Sequence, residues 1–149
     1  MKRHFVVLPG GAPRFSGNRG READVTELLA TGNQTRGALG LFRQTIAPNS
    51  GPPVHIHRAT NEFFYVVKGE FSVKLGDRIV RVFAGSFVFV PKGTAHAFKN
   101  VGTKPGVLLV GVMPSGLEKM FVERQGVDAE TNRALMKKHS TEAVGPPLP

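Results

Sequence analysis

The chain contains no cysteine among its 149 residues, and this absence restricts its chemistry from the start. Without thiols the protein can form neither a disulfide framework nor a thiolate–metal bond. Any metal site must therefore use histidine, aspartate, glutamate or water as ligands.

Long hydrophobic runs are also lacking. No stretch approaches the roughly 18 apolar residues that a membrane-spanning helix needs. The short apolar run near the N-terminus is interrupted by Pro9 and the glycines after it, before a secretory signal core would be complete. We therefore expect a cytoplasmic protein with no membrane partner.

Acidic side chains are scarce, since 11 of them face 20 basic ones and the net charge is +9. The basic residues are spread from Lys2 to Lys138, no run is denser than a pair, and no nucleic-acid-binding motif is present. The charge thus indicates a solvated basic surface, and we expect no nucleic-acid partner. A basic rim that attracts an anionic substrate is the alternative.

Glycine and proline are plentiful, at 18 and 11 residues, in a chain of otherwise ordinary globular composition. Period-two alternation of side chains begins at Leu39, and turn residues recur at intervals of roughly 8–12 residues after it. This pattern predicts one all-β domain, a barrel or sandwich. The predicted strands cover 39–46, 54–57, 62–67, 70–75, 78–83, 86–90, 95–99 and 107–112.

The two ends of the chain read differently from the middle. We predict an N-terminal extension over 1–36, a barrel over 37–113, and C-terminal helices with a tail over 114–149. The extension looks irregular, and residues 24–29 fit either a strand or a single helical turn. Ser115 is the expected cap of a helix at 116–125, and Asp128 that of a helix at about 129–139. The last five residues are expected to be disordered or extended.

Two histidines, His55 and His57, lie two positions apart on a short predicted strand and so point to the same face. Either alone would be an ordinary hydrogen-bonded core histidine, but a pair on an apolar strand needs a reason. A four-residue turn leads to Glu62, which we expect to neighbour His57 across a hairpin. A buried carboxylate is costly unless a cation balances it. Such ligands suit Fe, Mn, Co, Ni or Zn.

A fourth candidate ligand, His96, follows the turn after the apolar strand 86–90. Asn100 follows at a spacing that returns it to the face of His96 and Phe98. Together these residues resemble the two motifs of the cupin superfamily. The first motif, HxHxxxxE followed by six residues and glycine, ends at Gly69. The second matches throughout, at Gly85, Pro91, Gly93, His96 and Asn100.

This resemblance implies a single-domain cupin, a jelly-roll barrel or double-stranded β-helix, with short C-terminal helices. It implies a six-coordinate metal held by His55, His57, Glu62 and His96, with one or two positions left for water or substrate. The metal would be one divalent Fe, Mn, Ni, Co, Cu or Zn ion. One departure from the commonest pattern is that Gly51 lies closer to the first histidine.

Within the superfamily the chain looks most like small cupins related to quercetin 2,3-dioxygenase. The likeness implies a dioxygenase-like enzyme acting on a small aromatic or enolisable oxygen-containing substrate, with Glu62 as the catalytic base. A metal-dependent isomerase, cyclase or lyase, and a non-catalytic small-molecule-binding cupin, are the alternatives. Cupins commonly cover their open sheet edges with a partner, so we expect a homodimer with residues 1–35 as the cover.

Strand alternation also predicts the walls of the site. Phe64 and Val66 share the face of the glutamate ligand, and Phe98 that of the last histidine. These three are the predicted substrate-binding residues, although ordinary barrel core explains them equally well. Tyr65, the only tyrosine, points away from the metal by the same rule.

Overall fold

The structure, a computed structural model, describes residues 4–17 and 21–149. Three short helices lie in these ranges, α1 (Gly32–Thr35), α2 (Lys119–Glu123) and α3 (Ala129–Lys138). None of the helices in the described part of the chain is long and apolar enough to cross a membrane. The strands are β1 (Arg14–Ser16), β2 (Val25–Ala30), β3 (Gly40–Ile46), β4 (Pro53–His57), β5 (Asn61–Lys68), β6 (Glu70–Leu75), β7 (Arg78–Phe83), β8 (Phe87–Val90), β9 (His96–Asn100), β10 (Gly106–Met113) and β11 (Thr141–Pro147).

The strands form two antiparallel sheets that face each other. One has the order β1-β2-β3-β10-β5-β8 and the other β11-β4-β9-β6-β7. The chain passes repeatedly from one sheet to the other, which is the jelly-roll arrangement. The all-β jelly-roll barrel with short C-terminal helices that the sequence predicts is confirmed, and the predicted strand limits differ by at most two residues.

Alternation along the strands decides which side chains enter the barrel. In β5, the side chains of Phe64 and Val66 are buried between the two sheets, whereas those of Tyr65 and Val67, which alternate with them along the strand, are exposed. Tyr65 therefore points away from the interior, as predicted. The fully buried apolar side chains of the inner faces are Phe42, Phe64, Phe71, Ile46, Leu108, Val66, Val73, Val90, Val110 and Val112.

The N-terminal region is more regular than the sequence indicated. Residues 25–30 form a strand, β2, which settles the choice between a strand and a helical turn. β2 pairs antiparallel with β3, and β1 pairs with β2, so the extension adds two strands to the six-stranded sheet. Local pattern was ambiguous here because pairing with a distant partner strand, and not intrinsic preference, decides the structure.

The predicted first C-terminal helix is shorter than 116–125, and Ser115 does not cap it. The helix begins after Glu118, whose buried carboxylate accepts from the backbone N–H of Gly32 at 2.7 Å and of Gly116 at 2.6 Å. This carboxylate joins the start of α1 to the segment after β10. The second helix agrees with the prediction, because Asp128 caps it by accepting from the N–H of Thr131 at 2.7 Å.

The end of the chain is extended, and the alternative of a disordered tail is wrong for it. β11 pairs antiparallel with β4, with Thr141 opposite His57 and Ala143 opposite His55. Pro147 lies opposite Pro53, and Leu148 is buried against Val54 in a small apolar cluster. The C-terminal strand therefore lies beside the two histidines that the sequence singles out.

Candidate metal centre

Four side chains converge inside the barrel from both sheets. His55 and His57 come from β4, and His96, the first residue of β9, pairs in register with His55. Glu62 comes from β5 in the opposite sheet. One ligand atom from each residue can be chosen so that all four atoms lie within 4.8 Å of one another.

The turn between His57 and Glu62 is not a hairpin, which corrects the expectation from the sequence. β4 pairs with β9 and β11, and β5 pairs with β10 and β8, so residues 58–60 cross from one sheet to the other. His57 Nε2 nevertheless lies 3.1 Å from Glu62 Oε2, and His96 Nε2 lies 2.9 Å from the same oxygen. The predicted neighbours meet across the barrel interior, where two facing sheets bring side chains together.

The outer nitrogen of each imidazole is held by a fixed partner. His55 Nδ1 is 2.8 Å from the carbonyl oxygen of Pro53, and His96 Nδ1 is 2.9 Å from that of Thr94. A carbonyl can only accept, so each of these Nδ1 atoms carries a hydrogen, and in the neutral ring the lone pair is on Nε2. This is the tautomer that ligates a metal through Nε2. In the metal-free site His96 Nε2 also carries a hydrogen, which it donates to Glu62.

The third histidine is oriented by a side chain from the C-terminal strand. His57 Nδ1 lies 2.9 Å from Thr141 Oγ1, and that hydroxyl is also 3.3 Å from the carbonyl oxygen of His139. The hydroxyl hydrogen is therefore directed to His139, and its oxygen accepts from His57. Sequence reasoning missed Thr141, because only the pairing of β11 with β4 places it there.

The electrostatics of the cluster call for a cation. Burial alone would raise the pKa of Glu62, but hydrogen bonds from His57 and His96 hold it well below its usual range. Burial, reinforced by the neighbouring His96 and His57, lowers the pKa of His55 to about 3, so that it is neutral at physiological pH. An ionised, buried carboxylate beside three imidazoles fits one divalent metal ion, which would replace the protons that His57 and His96 donate to it. These four side chains therefore fit a divalent metal ion.

The cupin domain family model matches residues 42–112 of this chain. Residues 42–112 form a cupin domain. Protein SchB of Streptomyces halstedii is 34% identical over 87 residues, which cover 57% of this chain and 62% of that protein. Polyketide synthase CurC of Streptomyces cyaneus is 30% identical over 99 residues, covering 65% of this chain and 63% of CurC. The matched part thus spans less than two thirds of either relative.

The same fold occurs in solved structures. KdgF from a Halomonas species superposes with a TM-score of 0.69 at 15% identity, covering 78% of this chain and 99% of that structure. At this identity the likeness concerns the fold alone. The barrel therefore shares its fold with that structure. The elements outside the 42–112 match are β1, β2, α1, α2, α3 and β11.

A cavity of about 360 Å³ opens from the metal residues of this cupin. Phe98 lies on its wall, as the sequence predicts. Phe64 and Val66 do not line it; they are buried in the core behind, where the Phe64 ring centroid lies 5.6 Å from that of Phe98 and 6.2 Å from that of His96. Phe64 and Val66 therefore support the site and do not form its surface.

Much of the cavity wall comes from outside the matched barrel. The apolar part includes Phe42, Leu117, Met120 and Phe121, and the polar part includes Arg21, Gln44, Arg124, Asn132, Arg133 and Thr141. The helical spacing of residues 117, 120, 121 and 124 in the sequence was the available signal for the C-terminal contribution.

A second depression of about 550 Å³ lies against α3 and β11 and contains none of the four metal residues.

Replacing His57 with alanine should lower the metal content at least tenfold in a barrel that stays folded, because one of four ligands is lost.

Thr141→Val should weaken metal affinity about 10- to 100-fold, since it removes the acceptor that orients His57. Thr141→Ser keeps the hydroxyl and is the matched control. The measurements are elemental analysis and chelator competition, with circular dichroism as the test of folding. Full metal occupancy in both His55→Ala and His57→Ala would contradict the assignment.

Metal affinity should fall as the pH is lowered, and the fall should begin above the ordinary histidine pKa of about 6.5. Burial lowers the pKa of His96, but the hydrogen bond to Glu62 outweighs this and raises it, so the metal must displace a proton there. Chelator competition between about pH 8 and pH 5.5 measures the effect. His4→Gln, which changes an exposed histidine, should leave the profile unchanged. An affinity that stays constant over this range would show that His96 does not ligate the metal, because the metal would then displace no proton from it.

Proposed function

We propose that this cupin is a metal-dependent enzyme of the dioxygenase type that acts on a small aromatic or enolisable oxygen-containing substrate. The observation that carries the proposal is the arrangement of three imidazoles and one ionised carboxylate at the end of a cavity with apolar walls. Cysteine-free sites of this composition with an open cavity are typical of catalytic metals.

His55, His57, Glu62 and His96 would hold one divalent transition metal. When bound, the metal supplies a Lewis acid with positions left for a substrate oxygen. The volume of the cavity, about 360 Å³, is within the range of small-molecule sites. Phe98, Phe42 and Phe121 would pack against the flat apolar body of the substrate and exclude water from it.

Glu62 is the proposed general base. The hydrogen bonds that hold its pKa low come from the Nε2 atoms of His57 and His96, which are also the atoms that would ligate the metal. In a loaded site the metal would take the place of those hydrogen bonds, and the Glu62 oxygen that does not hold the metal would be the one available to a proton. A proton from an enol or phenol of the substrate is the proton that it would accept.

A metal-dependent isomerase, cyclase or lyase is the second candidate, and one finding favours it. CurC, which shares 30% identity with this chain, bears the name polyketide synthase. Polyketide chains carry 1,3-dicarbonyl groups, which enolise readily and offer two oxygens to one metal. The same site residues would then guide a reaction that consumes no oxygen.

Oxygen consumption separates these functions. The metal-loaded protein, given a panel of flavonols and 1,3-diketones in aerobic buffer, should consume oxygen in step with loss of substrate absorbance. Glu62→Gln should abolish turnover, while Glu130→Gln, the same change at an exposed position on α3, should leave it intact. Substrate loss without oxygen uptake would support the isomerase or cyclase, and binding without turnover a binding protein. If the loaded protein binds none of these ligands, the proposal fails for this substrate class.

We further propose that two copies associate through the outer face of the six-stranded sheet. Tyr65 and Phe63 on β5 lie opposite Phe87 and Phe89 on the edge strand β8. Phe87 is 63% exposed and Phe89 47%, which makes this an apolar patch at an unpaired sheet edge. Such patches mark association sites. Of the N-terminal strands, which were expected as the cover, β2 already pairs with β3 of its own chain and β1 pairs with β2.

Light scattering at micromolar concentration should give the mass of a dimer for the wild-type protein. Phe87→Lys combined with Phe89→Lys should give a monomer, because two charges would enter the apolar interface. Val144→Lys, at another exposed apolar position on β11, is the control and should remain dimeric. A monomeric wild-type protein would overturn this proposal.

A further inference from the structure

The cavity beside the metal residues has an unusual balance of charge. Among its lining residues in the described part of the chain, Glu62 is the sole acid, and three are arginines: Arg21, Arg124 and Arg133. A divalent metal would more than neutralise Glu62. Arg21 is paired with Asp24, but Arg124, Arg133 and a bound metal would still leave the cavity with an excess of positive charge, which attracts anions.

Arg124 has no acceptor for its buried nitrogen. It follows α2, and its guanidinium carbon lies 4.5 Å from the ring centroid of Phe121. Its Nε is shielded from solvent and finds no hydrogen-bond partner among residues 4–17 and 21–149. Burial, and then the positive charge of Arg21, lower the pKa of Arg124 to about 10, so it stays charged at neutral pH. An unpaired buried donor is costly, and an acceptor from outside the chain would remove that cost.

Arg21 is held in place by a buried network. Its Nε donates to Asp24 Oδ2 at 2.7 Å, and the same carboxylate accepts from the backbone N–H of Ala47 at 2.8 Å and from Ser50 Oγ at 2.7 Å. The guanidinium carbon lies 5.7 Å from the ring centroid of Phe98, the predicted substrate contact. The network therefore holds the Arg21 guanidinium at the cavity wall, near enough to Arg124 for their positive charges to repel.

We propose that Arg21 and Arg124 form a subsite for a carboxylate of the substrate, so that this cupin takes an organic acid whose other end presents oxygens to the metal. A carboxylate between the two guanidinium groups would offset their repulsion and accept hydrogen bonds in the forked geometry that arginine favours. Both arginines lie outside residues 42–112, so the subsite belongs to the segments that this chain adds to the cupin barrel.

This inference rests on the proposed function, because it assigns the substrate class of the same cavity. Its test uses three ligands that share one metal-binding end: 1-phenyl-1,3-butanedione and its two derivatives with a carboxylate at the meta or para position of the ring. Zinc-loaded protein is used, since zinc has no redox chemistry and binding is then measured without oxidation. Titration calorimetry should show that one of the two acids binds about tenfold or more tightly than the neutral diketone.

Arg124→Gln should abolish most of that gain, measured as the ratio of the acid's affinity to that of the neutral diketone in the same variant. Arg78→Gln, which removes an exposed arginine on β7, should keep the gain. Arg124→Lys, which retains the charge without the fork, should keep part of it. The metal content and the neutral ligand report whether each variant is folded.

The outcomes distinguish the two claims. If neither the diketone nor the acids bind to the wild-type protein, the proposed metal-dependent function fails and this inference fails with it. If the diketone binds and neither acid binds more tightly, the carboxylate subsite alone is overturned. A gain that survives unchanged in Arg124→Gln also overturns it.

Discussion

The carboxylate of Glu62, buried among three imidazoles, is the constraint on which the rest of the structure depends. It comes from one sheet and its partners come from the other, so it holds the two sheets in a defined relation at that point. An ionised group in such a place is tolerated only with compensating charge. The jelly-roll places His57 and His96 where they donate hydrogen bonds to this carboxylate, and a divalent metal held together with His55 would supply the compensating charge.

The histidines are oriented both by groups close to them in the sequence and by one group far from them. Two imidazoles are fixed by carbonyl groups only two residues earlier in their own segments. The third depends on Thr141, which lies 84 residues further along the chain. The C-terminal strand β11 is therefore part of the candidate metal centre as well as of the sheet. Residues of α2, α3 and β11 also line the cavity.

The sequence was sufficient to predict what depends on spacing. The i, i+2 placement of His55 and His57 and the two motifs identify the four candidate ligands, which the structure brings together, and alternation gives the barrel strands within one residue. It could not predict what depends on pairing between distant segments. β2, β11 and the roles of Arg21, Thr141 and Arg124 follow from contacts that no local pattern records. The division into 1–36, 37–113 and 114–149 stays a prediction, since β2 and β11 extend the sheets from outside the central part.

X-ray absorption at the metal edge, on protein purified without a nickel column, tests the central claim most directly. The account predicts one equivalent of a divalent transition metal per chain. The spectrum should show nitrogen and oxygen ligands at about 2.0–2.2 Å together with the outer-shell scattering of three imidazole rings. A protein that takes up no metal when one is supplied, or whose metal shows no imidazole scattering, would contradict it.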